Sequence, residues 1–152
     1  MGIIKVSDEQ SEKTFAQLRE VLEVDNPDTK DYEIAYGTRT KTRNYIVYQK
    51  TTIYNYVFGY TKTMDKFFVS SVSINSKDNF TLSEPVFFTK DDVQTMTRKI
   101  TGTINIKLKD GFKSAFTIPP YTLKSAGYNL PVSQKEKSKF LNDFIKNNPI
   151  KK

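Results

Sequence analysis

The chain has 152 residues, a net charge of +7, 37% hydrophobic residues and 27% charged residues. That balance excludes a disordered chain and leaves room for one domain, residues 1–152, with a substantial core. It has no Cys and no His, which removes disulfides, thiolate nucleophiles, the commonest metal ligands and every Ser-His or Cys-His arrangement.

The first segment, Met1 to Asp8, has an apolar run too short for a signal peptide or a membrane span, so the expected compartment is the cytoplasm. Ser7-Asp8-Glu9-Gln10 is a capping box, and Phe15, Leu18, Val21 and Leu22 follow at helical spacing. A helix over residues 7–24 is therefore expected, with Glu9, Glu12, Glu20 and Glu23 on its outer face. Residues 1–33 carry nine acids against four bases, net −5, while residues 34–152 carry twenty bases against eight acids, net +12. The basic excess predicts attraction to a polyanion or an acidic partner.

From residue 31 the period changes to two. Tyr32, Ile34 and Tyr36 predict a first strand, Gly37 loosens it, and Thr38 to Arg43 reads as a polar connection. Tyr45 to Gln49 reads as a second strand and Thr51 to Tyr60 as a third. Both faces of the third carry apolar bulk, which suits a central strand. Residues 61–65 turn, and Lys66 to Asn75 is a fourth strand. Ser76-Lys77-Asp78-Asn79 is turn chemistry, and Pro85 to Phe88 a short edge strand. Thr89-Lys90-Asp91-Asp92 predicts a helix cap followed by helical turns over Val93 and Met96.

Ile100 to Lys109, Asp110-Gly111, and Phe112 to Ile118 form a hairpin signal, and Pro119-Pro120 ends it. Ser133 to Glu136 is a second capping box, opening a helix over residues 133–147 with Phe140, Leu141, Phe144 and Ile145 in one stripe. Asn147 to Lys152 reads as a frayed basic tail. The sum is an α+β chain, mainly β, with seven antiparallel strands over residues 31–119 and a helix on either side.

Strands of this number, the run Ile104-Asn105-Ile106-Lys107-Leu108-Lys109-Asp110-Gly111, then Phe116-Thr117-Ile118, and a helix bearing Phe140-Leu141 and Phe144-Ile145 resemble the pleckstrin-homology-like domain, especially its small bacterial members. The resemblance spans roughly residues 31–146. It implies a seven-stranded antiparallel barrel capped by the C-terminal helix, with the residues 7–24 helix as an addition. The Trp often found in the terminal helix of eukaryotic members is absent, and Phe140 or Phe144 would fill its place. The rival folds are a five-stranded barrel of the oligonucleotide-binding type and a β-sandwich.

Two candidate sites emerge. Arg39-Thr40-Lys41-Thr42-Arg43, with Lys50 nearby, puts three charges on one face of an extended chain, roughly 7 Å apart at the strand rise. That spacing suits phosphates or an anionic headgroup. The resemblance implies anion binding at the same loop, because Lys41-Thr42-Arg43 matches the basic pattern that membrane-binding members carry there. Tyr54, Tyr56, Phe58 and Tyr60 form an aromatic row that is either core or a platform for stacking bases. Lys107, Lys109 and Lys113 read as solubilising charges on a sheet edge. Lys135, Lys137, Lys139 and Lys146 decorate a helix whose apolar side is committed to the core. Asp91-Asp92 diverge on a helix and form no catalytic dyad. No Gly-rich phosphate loop, metal-ligand spacing or nucleophile motif occurs, and no cofactor is expected.

The expected function is a non-enzymatic binding or scaffold module that contacts a protein or an anionic ligand through the basic loop. The alternative is a single-stranded nucleic-acid-binding protein that uses the same loop with the aromatic row.

Overall fold

The structure, a computed structural model, describes residues 8–76, 79–122 and 130–152. Helix α1 (Asp8–Asp25) precedes strands β1 (Glu33–Asn44), β2 (Gln49–Tyr60), β3 (Lys66–Ser76), β4 (Asn79–Leu82) and β5 (Val86–Thr89). Strands β6 (Val93–Arg98), β7 (Ile104–Leu108) and β8 (Lys113–Phe116) follow. Two short strands, β9 (Tyr121–Thr122) and β10 (Val132–Ser133), lead to helix α2 (Lys135–Asn147) and the terminal strand β11 (Ile150–Lys151).

The chain is α+β and mainly β, and its strand pairings are antiparallel. The first sheet runs β1-β2-β3-β4, with β5 continuing along the β3 edge beside β4. The second runs β11-β6-β7-β8. Between them, β1 and the end of β8 meet at one bridge, Thr38 to Thr117.

The first sheet is buried on both faces. Ile34, Tyr36, Val57, Phe68 and Val72 pack against Leu18 and Leu22 of α1. Burying two such leucines contributes about 3–6 kcal/mol, enough to hold a helix whose other positions are mostly polar or charged. The opposite face (Ala35, Phe58, Tyr60, Phe67, Val69) packs on Ile104, Ile106, Leu108 and Phe116 of the second sheet and on Leu141 and Ile145 of α2. Apolar residues on successive positions such as Val57-Phe58 are therefore what a doubly covered strand requires. Where β2 crosses β3, a Cβ on Gly59 would sit 1.9 Å from the Phe68 ring, so only glycine fits there.

The outer edge of β1 is closed by side chains as well as by backbone. Gln134, itself buried, accepts the Tyr36 N–H at 2.9 Å through Oε1 and donates Nε2 to the Tyr36 carbonyl at 2.7 Å. Its Nε2 also reaches the Pro119 carbonyl at 2.8 Å. Lys137 Nζ donates to the Ile34 carbonyl at 3.0 Å while resting 4.2 Å from the Phe15 ring centroid. Burial pulls the Lys137 ammonium below the ordinary lysine range, and Glu33 opposes that shift. At the bridge, Thr38 and Thr117 exchange backbone bonds of 2.8 and 2.7 Å.

Several expectations are corrected. Among the described residues the strands form separate sheets rather than a closed barrel, and the count of seven does not hold. Thr38 to Arg43 is no loop: β1 runs through it, because alternating Thr keeps the backbone extended. Gly37 does not end the strand, since its missing side chain makes room for the Phe116 ring. Tyr45 to Tyr48 is the turn between β1 and β2 instead of a strand, and Gln49 already belongs to β2. Val93 to Arg98 is strand β6; its preceding cap encloses only a short helical turn, Lys90–Asp92. Helix α2 starts after Gln134 rather than Ser133. The Ser133 N–H is taken by Ser11 Oγ at 2.8 Å, which ties α1 to β10. On α2, Leu141 and Ile145 fill the core, while Phe140 stays 48% exposed at its rim. The tail is not frayed, because Ile150–Lys151 pair with β6.

The Asp110-Gly111 hairpin stands, with Gly111 at φ 101°, but its first strand begins at Ile104 rather than Ile100, because the chain turns over residues 99–103 with Gly102 at φ 96°. Ser7 and the Lys77-Asp78 turn lie outside the described residues. No helix of the described residues is long and apolar enough to cross a membrane.

Replacing Gln134 with Met keeps the volume but strands the Tyr36 N–H and C=O. Each unpaired buried group costs about 1–3 kcal/mol, so urea unfolding should show a loss of about 2–4 kcal/mol. A loss no larger than that of an ordinary surface substitution, within about 0.5 kcal/mol, would show that Gln134 does not close the edge.

Candidate functional site: a basic arm with an apolar tip

Beyond the Thr38–Thr117 bridge, β1 has only β2 for a partner among the described residues. The two strands stay paired to Asn44 and Gln49 and form a ribbon whose residues 40–51 are all exposed. The pairs Arg39–Tyr54, Lys41–Thr52 and Arg43–Lys50 share one face. Thr40, Thr42, Asn44, Gln49, Thr51 and Ile53 make the other, where Gln49 Nε2 donates to Asn44 Oδ1 at 2.7 Å. The structure thus joins all four predicted basic residues on one side of one arm.

That side has no counter-ions of its own. From Ile34 to Met64 the sequence holds no Asp or Glu. Among the described residues the ion pair present is Arg19–Glu23, at 3.8 Å on α1. Arg43 and Lys50 lie directly opposite each other, an arrangement that costs stability in an isolated ribbon.

The tip is apolar. Tyr45 donates its N–H to the Tyr48 carbonyl at 2.7 Å, and their rings stack at 4.7 Å. Between them Ile46 is fully exposed and Val47 is 86% exposed. Neither has a positive φ, so the turn is neither of the types that match strand twist. Ile and Val are poor turn residues, which is why Tyr45 to Gln49 reads as a strand in sequence. Sequence reasoning missed this feature; the signal was a β-branched pair framed by two tyrosines between strands of equal length.

The aromatic row divides. Phe58 and Tyr60 are core residues, with Phe58 fully buried, and neither can offer a ring face to a base. Tyr56 is partly buried and packs 5.5 Å from Phe116. Tyr54, 43% exposed beside Arg39, is the most exposed member of the row. Burial raises the Tyr56 hydroxyl pKa and pushes that of Tyr60 up to about 12, with Glu33 adding to the latter.

At the foot of the arm, Arg39 overhangs β8. One cleft of ≈ 200 Å³ lies between Arg39, Tyr56, Ser71, Ser83, Phe112 and Lys113. A second, of ≈ 290 Å³, is bounded by Arg39, Thr95, Asn105, Lys107, Lys113 and Ser114. Lys107 faces Lys113 directly across the β7–β8 hairpin. Among the described residues the buried Asn105 Nδ2 has no acceptor there. Lys107 and Lys113, expected only to solubilise an edge, therefore belong with Arg39 in one basic zone.

Asp91 and Asp92 do not form a dyad: the Asp92 carboxylate caps the preceding turn, accepting from the Thr89 N–H at 2.8 Å and its hydroxyl at 3.1 Å. Those bonds hold the Asp92 carboxyl below its usual range. Comparison of the chain with protein-family models, curated proteins and solved structures finds no match.

The fold keeps Tyr60 neutral, so its contribution is complete below the ordinary tyrosine value near 10 and is lost as pH rises towards 12. Urea midpoints should fall steeply from about pH 10 to 12, and Tyr60→Phe should flatten part of that slope. An unchanged slope in the variant would contradict the buried assignment of Tyr60.

Proposed function

We propose that the chain is a non-enzymatic binding module of pleckstrin-homology-like type that acts in the cytoplasm and grips an acidic or anionic partner with the β1–β2 arm. The arm itself carries this reading: an acid-free ribbon with four cations on one face and fully exposed Ile46 at its tip. An apolar centre rimmed by cations has the anatomy of a protein interface, where buried anchors supply affinity and charges supply speed and register. A partner with an apolar groove and an acidic rim fits both halves. Support for the pleckstrin-homology-like type comes from element order: strands β1 to β5 on one side of the core, β6 to β8 on the other, and α2 contributing Leu141 and Ile145 to the same core.

Single-stranded nucleic acid is the second reading, favoured by Tyr54 standing exposed opposite Arg39. It uses one stacking residue of the predicted four.

Two titrations separate these. Full-length chain immobilised as bait should retain a stoichiometric partner that is lost with Arg39→Glu/Lys41→Glu/Arg43→Glu and, separately, with Ile46→Asn/Val47→Gly. Retention by both variants would place the interface elsewhere. With a labelled oligothymidylate, contact by all four cations predicts a log–log salt slope of about −3, and Tyr54→Ala should cost about 1–3 kcal/mol. Absence of binding at low salt eliminates the nucleic-acid reading.

A further inference from the structure

We propose that the cleft between the foot of the arm and the outer face of the second sheet binds a phosphate group, either the free ion or a monoester carried on a larger ligand. This goes beyond the arm reading, because Thr95, Asn105, Lys107, Lys113 and Ser114 all lie off the arm. Three kinds of observation carry it.

The first is charge. Arg39, Lys107 and Lys113 border one cleft of ≈ 290 Å³, and among the described residues no carboxylate lines it. Lys107 and Lys113 are direct cross-strand partners, so their like charges oppose each other in the unliganded protein. Edge protection accounts for Lys113, since β8 ends the sheet, but not for Lys107, because β7 lies between β6 and β8. An anion between the two ammonium groups removes the penalty.

The second is hydrogen bonding. Asn105 lines the same cleft, and among the described residues its buried Nδ2 donor has no acceptor. Buried polar groups in native proteins are rarely left unpaired, and one that is calls for an explanation such as a missing ion. Thr95 and Ser114 add hydroxyls to the lining.

The third is valence and shape. A guanidinium and two ammonium groups suit a dianion with several acceptor oxygens better than a single carboxylate. The cleft is large enough for a phosphate and part of whatever bears it.

The test uses the full chain followed by ¹H–¹⁵N spectra. Sodium phosphate is titrated against sodium chloride at matched ionic strength. Phosphate should produce saturating shifts at residues 105–107 and 113–115, and should move the Asn105 side-chain amide. Lys107→Gln/Lys113→Gln should weaken binding about tenfold or more, as loss of charge-assisted bonds requires. Lys41→Gln/Arg43→Gln, on the arm, should leave it unchanged to about twofold, because distant sites act independently.

A parallel melting series guards against general salt effects. Phosphate should raise the Tm of the wild type more than that of the Lys107/Lys113 variant, whereas its exclusion from protein surfaces would raise both alike. Tighter binding of O-phosphoserine than of inorganic phosphate identifies the monoester as the source, and the reverse order identifies the free ion. Shifts that fail to saturate, that chloride reproduces, or that persist in the Lys107/Lys113 variant overturn the proposal. If that variant does not fold, the wild-type shift map alone decides. The arm reading survives any of these results, since its Ile46→Asn/Val47→Gly variant touches no residue of the cleft.

Discussion

The side-chain amide of Gln134 stands in for a strand along the edge of β1, and the architecture depends on it. It satisfies both the N–H and the C=O of Tyr36 from a buried position just before α2 begins. A carboxylate there would accept but not donate, and a hydroxyl would not span both groups. The same residue sets the start of α2, because its carbonyl accepts the Ser138 N–H at 2.8 Å. One amide therefore fixes the helix on the sheet and closes the edge at once. Lys137 and Thr117 extend the closure by one pair on either side.

This closure divides β1 into two parts with different physics. From Ile34 to Gly37 the strand is buried on both faces and bonded on both edges. From Thr40 onward it is exposed on both faces and bonded on one. A two-stranded ribbon is marginal on its own, so the arm borrows its register from the buried half. Its sequence departs from local rules at two places: Arg43 opposes Lys50, and Ile46-Val47 occupies a tight turn without turn chemistry. Such departures gather where a chain serves binding instead of stability. Lys107 opposite Lys113, with the Asn105 Nδ2 lacking an acceptor among the described residues, is a third, and Arg39 connects it to the arm.

Much of the fold was legible because periodicity and turn chemistry are local. The α1 stripe, the doubly apolar β2 and the Asp110-Gly111 hairpin all follow from spacing. The alternation that puts Arg39, Lys41 and Arg43 on one face was equally readable. What could not be read depends on partners distant in sequence. Nothing near Thr38 to Arg43 says strand until β2 is seen to pair with it over its full length. Nothing in Tyr45-Ile46-Val47-Tyr48 says turn, because the residues favour strands and only the matched lengths around them force the reversal. Ser133 fits a cap better than Gln134 does, yet the edge of β1 claims the glutamine. Lys107 and Lys113 become neighbours only through hairpin register, and Arg39 joins them only in three dimensions.

In the proposed reading, the body of the protein is complete without the distal arm, and the distal arm engages the partner. The most direct measurement replaces residues 42–51, all exposed, with Asn-Gly, leaving the Lys41–Thr52 pair to close the shortened hairpin. Unfolding should remain a single cooperative transition with Tm within a few degrees of the parent, and stoichiometric partner binding should disappear. Loss of cooperative unfolding, or binding that survives the excision, would contradict the account.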